Sequence, residues 1–178
     1  MKKPLICALP GLLACALFAR AETGLRWDTA TTNRLALVRN GAVVWGFHSD
    51  PSKSTKPFFD PVCVAGGPPL TWASPPDHVW HYGLWFSWKY INGVNYWEEK
   101  SGKSEGETFW SAPEFETRAD GSAVIACNFG YRAAPAAEPV LRERRTVAVS
   151  APAPAGSYQM DWTQVFTEEY DPDELYGI

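Results

Sequence analysis

The chain has 178 residues, 46% of them hydrophobic and 14% aromatic, a length at which a single domain buries roughly 70% of its unfolded surface. With 16 basic against 20 acidic side chains the net charge is −4, which argues against nucleic acid as a partner, because phosphate binding needs a basic surface. After the first 21 residues no apolar run approaches about 18 residues, so no transmembrane segment is expected beyond that point.

Residues 1–21 carry Lys2 and Lys3, then an apolar stretch from Pro4 to Phe18, then Ala19-Arg20-Ala21. A positive end, an apolar middle and a small-x-small cut describe a secretory signal peptide, so export to the periplasm or beyond the cell is expected. An alternative lies in Leu12-Leu13-Ala14-Cys15, a lipobox-like run that would anchor the protein by lipid at Cys15. Cleavage after Ala21 leaves 13 basic against 20 acidic side chains, a net charge of −7, and a single domain over residues 22–178. Of the four cysteines only Cys63 and Cys127 then remain, and they read equally well as a disulfide or as two buried thiols.

In chain order, residues 33–39 and 42–47 alternate as strands about Asn40-Gly41, the pair a type I′ hairpin turn requires. Residues 50–76 are rich in Pro, Ser, Lys and Gly, with Phe58-Phe59 and Val62-Cys63-Val64 as short apolar islands, and form a long excursion holding one short strand. Residues 82–91 are predicted as a strand with Leu84, Phe86, Trp88 and Tyr90 on one face and Trp88 in the core, closing at Asn92-Gly93 onto a return arm at 94–97. Further strands are expected at 108–110, at 124–129 after Asp120-Gly121, at 141–149 and from 158 to 166. No apolar period of 3.6 residues persists for three turns. The fold class is therefore all-β, an antiparallel β-sandwich built from hairpins. The chain stops just past a strong strand, which reads as an incomplete C-terminus.

The densest chemistry lies in Asp77-His78-Val79-Trp80-His81, where Pro75-Pro76 places two of the three histidines on a loop or strand entrance. If His78 and His81 converge, they can hold a metal with Asp77, His48 or Glu98 as third ligand. They can equally do acid–base work with Asp77 or Glu143 as carboxylate partner, or simply brace the loop. Either catalytic version needs His48, His78, His81, Glu98 and Glu143 in one pocket. Nine tryptophans are present, and flat aromatic faces suit sugar rings, with Trp80 and Trp85 the site-facing candidates. Glu143 and Arg145 share a strand face with Leu141, Val147 and Val149, a placement explained by a strand end at solvent, an ion pair at a sheet rim, or a site role. No P-loop, G-x-G-x-x-G or H-E-x-x-H occurs.

Four blocks together, Lys56-Pro57-Phe58-Phe59-Asp60-Pro61, Pro76 to Phe86, Val94-Asn95-Tyr96-Trp97-Glu98 and Glu143-Arg144-Arg145-Thr146, resemble successive motifs of the exported bacterial DUF6807 family, often labelled "methane oxygenase PmoA". The H-x2-H-x-G-L-W block is the most specific. The family pattern has a further histidine where this chain has Tyr82. Members are longer, so the resemblance implies that this chain is an N-terminal portion of the family's length. It also implies β-sandwich character and a carbohydrate-processing setting, whereas the oxygenase label implies a copper or iron oxidoreductase.

The leading expectation is an exported carbohydrate-active protein. It binds a saccharide over Trp80 and Trp85 with help from Glu98 and Arg145, and uses His78, His81, Asp77 and Glu143 for acid–base chemistry in glycoside processing. A paired-carboxylate glycosidase would need two acids about 5 to 9.5 Å apart. The alternatives are the metal-dependent oxidoreductase and a sugar-binding or structural β-sandwich without catalysis. The sequence names neither a cofactor nor an oligomeric state.

Overall fold

The structure is a computed structural model that describes residues 24–168. The predicted signal peptide, the lipobox alternative at Cys15 and the last ten residues lie outside that range. Eleven strands and no helix are present among the described residues, and no helix there is long and apolar enough to cross a membrane.

The first sheet runs β1 (Leu25–Thr31), β2 (Arg34–Arg39), β3 (Ala42–His48) and β4 (Phe58–Val62), each antiparallel to its neighbour. Its β2–β3 hairpin turns on Asn40 and Gly41 at φ 52° and 86°, as expected of Asn-Gly. A small two-stranded ribbon follows, β5 (Tyr90–Ile91) and β6 (Val94–Asn95), turning on Asn92-Gly93 at φ 48° and 80°. The second sheet contains β7 (Glu107–Trp110), β8 (Glu114–Thr117), β9 (Ala123–Arg132), β10 (Leu141–Val149) and β11 (Met160–Glu168). Its order is β11-β10-β9-β7, and β8 also pairs with β9. β7 takes the 129–132 half of β9 and β8 the 123–126 half.

Alternation along the strands turns one face of each sheet inward. Leu35, Leu37, Val44, Trp45, Phe47 and Phe59 from the first sheet form one cluster with Ala123, Ile125, Val147 and Val149 from the second. The two sheets are therefore the layers of an all-β sandwich. A second cluster joins Tyr96 to Cys127, Phe129 and Tyr131 and fastens the ribbon to the second sheet. Cys63 and Cys127 are both free and buried, so the thiol reading holds and the disulfide does not.

Two expectations are corrected. Residues 82–91 do not form a strand: Tyr82 and Leu84 make single bridges to Ala73 and Phe59, and pairing resumes only at Tyr90. Gly83, at φ 87°, interrupts the run. Its Cα lies so close to β4 that a Cβ there would stand 2.6 Å from the Phe59 carbonyl oxygen. The face predicted to be the core face is consequently open, with Trp88 38% and Tyr90 57% exposed. The sequence also gave no sign of β1 or β8, whose faces toward solvent are mostly polar.

Candidate functional site

The predicted histidine block sits on two successive turns, closed by His78 N–H donating to the Pro75 carbonyl and His81 N–H donating to that of His78, both at 2.9 Å. Asp77 and His78 are exposed and pair at 3.1 Å between Oδ2 and Nδ1. That hydrogen bond from His78 is the main reason the Asp77 carboxyl is held below its usual range. Trp80 lies against His78, ring centroids 5.5 Å apart. His81 turns the other way and meets Trp85 at 6.2 Å.

The remaining predicted residues are scattered. His48 stacks on Phe58 at 5.0 Å, and its Nε2 lies 2.7 Å from the Asp60 carbonyl oxygen. Burial lowers its pKa. Glu98 is exposed beside the ribbon and accepts from Lys89 Nζ at 3.3 Å and Asn95 Nδ2 at 3.0 Å. Glu143 and Arg145 are inside the sandwich, 2% and 5% exposed, so neither a solvent-facing strand end nor a rim ion pair describes them.

Glu143 accepts from Arg145 Nε and Nη2, from the Tyr131 hydroxyl and from Gln164 Nε2. The guanidinium lies 4.0 Å from the Phe129 ring centroid and also faces Phe86 and Trp162. Burial and the Glu143 charge together raise the Tyr131 phenol. A buried pair with every acceptor occupied is a packing device by its geometry. The void beside Arg145 measures about 10 Å³, room for one water at most. His48, His78, His81, Glu98 and Glu143 line neither that void nor the larger cleft described next. Among the described residues no three His, Cys, Asp or Glu side chains are grouped to hold a metal ion.

The larger cavity lies elsewhere. It is an open cleft of about 750 Å³ between residues 51–55 and 102–110, with Tyr82 and Pro135 completing the wall. Its polar lining comprises the hydroxyl residues Ser52, Ser54, Thr55, Tyr82, Ser104 and Thr108 and the charged residues Lys53, Lys103, Glu105 and Glu107, and its apolar lining includes Phe109 and Trp110. β7 supplies one side, while Trp110 Nε1 donates to the Ser49 carbonyl at 2.9 Å and ties that side to the end of β3. Glu107 is held by Arg132 Nε at 2.6 Å.

Behind the cleft wall lies a charged pair that sequence reasoning missed. Lys56, 1% exposed, donates from Nζ to Glu99 Oε1 at 3.1 Å, Thr55 Oγ1 at 2.9 Å and Ser104 Oγ at 3.2 Å. Glu99 also accepts from the Thr55 hydroxyl, and on Oε2 from the Tyr82 hydroxyl at 3.0 Å. The ammonium faces the Trp85 ring at 5.2 Å and the Tyr82 ring at 5.9 Å, a favourable setting for a cation taken out of water. Burial lowers the Lys56 pKa, against the opposing pull of Glu99. Burial and the Glu99 charge raise the Tyr82 phenol. Trp85 thus sits at this pair, its ring tilted against that of Trp97 with centroids 4.5 Å apart, and it is the predicted residue that links His81 to the cleft wall. The available sequence signal was a lysine inside the apolar run Lys56-Pro57-Phe58-Phe59 and an acid at Glu99 just after an aromatic pair.

A model of the DUF6807 family, described as a family of unknown function, matches residues 34–175. No curated protein and no solved structure matches the chain.

Proposed function

We propose that this chain, which belongs to the DUF6807 family, binds a saccharide in the cleft walled by residues 51–55 and 102–110. The observation that carries this reading is the composition of that wall: hydroxyl and charged residues, among them Ser52, Lys53, Lys103, Glu105 and Thr108, line the same space as Phe109 and Trp110. A sugar has one kind of surface for each, since its hydroxyls seek hydrogen-bonding groups and its C–H faces seek aromatic rings. About 750 Å³ falls within the usual range of small-ligand clefts. The reading moves the sugar from the exposed Trp80 turn to the cleft and keeps Trp85 as a supporting ring behind its wall. Export, expected from the N-terminal leader, would place such a protein where polysaccharide breakdown products are met, and is proposed with it.

The test is calorimetric titration of the full chain with a panel of neutral mono- and disaccharides, alongside Thr108→Arg, which fills the cleft from β7. Saturable binding lost in Thr108→Arg is the expected result. Absence of binding across the panel, or binding indifferent to Thr108→Arg, overturns the proposal.

A further inference from the structure

Charged residues stand on both walls of the cleft, Lys53 on the 51–55 side and Lys103, Glu105 and Glu107 on the 102–110 side. Each acid already holds a donor of the protein itself. Glu107 accepts from Arg132 Nε at 2.6 Å, and Glu105 Oε2 accepts from the Asn95 backbone N–H at 3.2 Å. The lysines are not engaged in this way. Lys103 is exposed, and its ammonium has no partner among the described residues. Lys53 has only Asp50 Oδ2, at 3.8 Å, and its side chain is 81% exposed.

The neutral donors of the wall divide in the same manner. The hydroxyls of Ser52, Ser54, Thr55, Tyr82 and Ser104 all donate within the protein, and Trp110 Nε1 donates to the Ser49 carbonyl. Their hydrogens are committed. Thr108 makes no side-chain bond among the described residues. The side-chain donors still open to a ligand are therefore two ammoniums and one hydroxyl. A carboxylate or sulfate, which only accepts, suits that set better than a sugar hydroxyl does, and a charge-assisted bond is roughly twice as strong as a neutral one. The net charge of −4 opposes an anion at long range, so a preference for one has to arise from these two lysines at contact distance.

Resting on the saccharide reading above, we propose that the ligand is an acidic saccharide, whose anionic group, a uronate carboxylate or a sulfate ester, is bound by Lys53 from one wall and Lys103 from the other. The sugar ring then has Phe109 and Trp110 for its C–H face, and the oxygens of the committed hydroxyls as acceptors for its own O–H groups. Lys53 and Lys103 are the specificity-determining residues: they separate an acidic sugar from its neutral parent.

Calorimetric titration of the full chain with D-glucose and D-galactose, their uronates and their 6-sulfates tests this, read as the ratio of acidic to neutral affinity. The wild type is expected to favour an acidic form by about 10-fold in dilute buffer, with the tighter of uronate and sulfate identifying the anion. Most of that advantage should vanish at about 0.5 M salt, where exposed charges are screened. Lys53→Gln/Lys103→Gln is expected to bring the ratio to about 1 or below, since the remaining field of the protein is negative. Both side chains are exposed, so the fold does not depend on them. Lys89→Gln, at an ammonium bonded to Glu98 beside the ribbon, should leave the ratio as it is. Acidic sugars that bind no tighter than their neutral parents, or a ratio untouched in the double variant, overturn the acidic preference and leave the saccharide proposal standing. No binding by any sugar, acidic or neutral, overturns both.

Discussion

Arg145 illustrates how far a single residue can be read. Strand alternation put it and Glu143 on an apolar face, and the structure keeps them there, inside the sandwich rather than at its rim. What alternation cannot supply is the partner across the sheet: Tyr131 and Gln164 arrive from β9 and β11, 12 and 21 positions away. Removing one member of such a buried pair strands the other, so Arg145→Met is expected to destabilise the protein by about 3–5 kcal/mol. The double variant Glu143→Leu/Arg145→Met should recover most of that loss. Urea unfolding followed by tryptophan fluorescence measures both, and a double variant no more stable than the single one would contradict the account. Lys56 was harder to read, because a lysine in a loop is ordinarily solvated. Nothing local announces that Glu99, 43 positions on, will close over it.

At the level of elements, the turns were the most legible features. Asn40-Gly41 and Asn92-Gly93 both take the positive φ that their sequence predicts. Residues 141–149 form β10 with the predicted bounds, because alternation there continues through the whole strand. Residues 82–91 alternate without forming a strand, and Gly83 marks the first departure from strand geometry. Gly83 holds a left-handed conformation and brings the chain against Phe59, where a Cβ would meet backbone oxygen at 2.6 Å. Gly83→Ala therefore combines an unfavourable φ with a clash, and a loss of about 1–3 kcal/mol or more is expected. The damage should be local. Hydrogen exchange is expected to accelerate at the amides of Phe59 and Leu84, which bond each other's carbonyls at 2.8 and 3.0 Å. Unchanged protection at those two amides would count against this role for Gly83.

Across the whole molecule, the sandwich was legible because it is written in repeated local signals, and the cleft was not because it is assembled from loops far apart in sequence. Phe59 shows how the two layers depend on each other. From the first sheet it touches Trp45, Phe47 and, across the interface, Trp162 of the second. It is fully buried, so Phe59→Ala is expected to cost about 3–5 kcal/mol. Near- and far-ultraviolet dichroism should report a single coincident unfolding transition, because the layers share this contact; two separated transitions would show that they do not.

The division of one side of β9 between β7 and β8 gives the chain a separation of duties. The half-edge at 129–132 carries β7 and with it a wall of the cleft, while the half-edge at 123–126 carries β8, whose Phe115 packs against the main core. Ser111 marks the step between them, its backbone N–H donating to the Asn128 carbonyl. Lengthening or rewriting residues 101–106 therefore reshapes the cleft mouth on a scaffold whose register is pinned on the far side of that step. A change in that loop alters the space between residues 51–55 and 102–110 and leaves the layers beneath it in place.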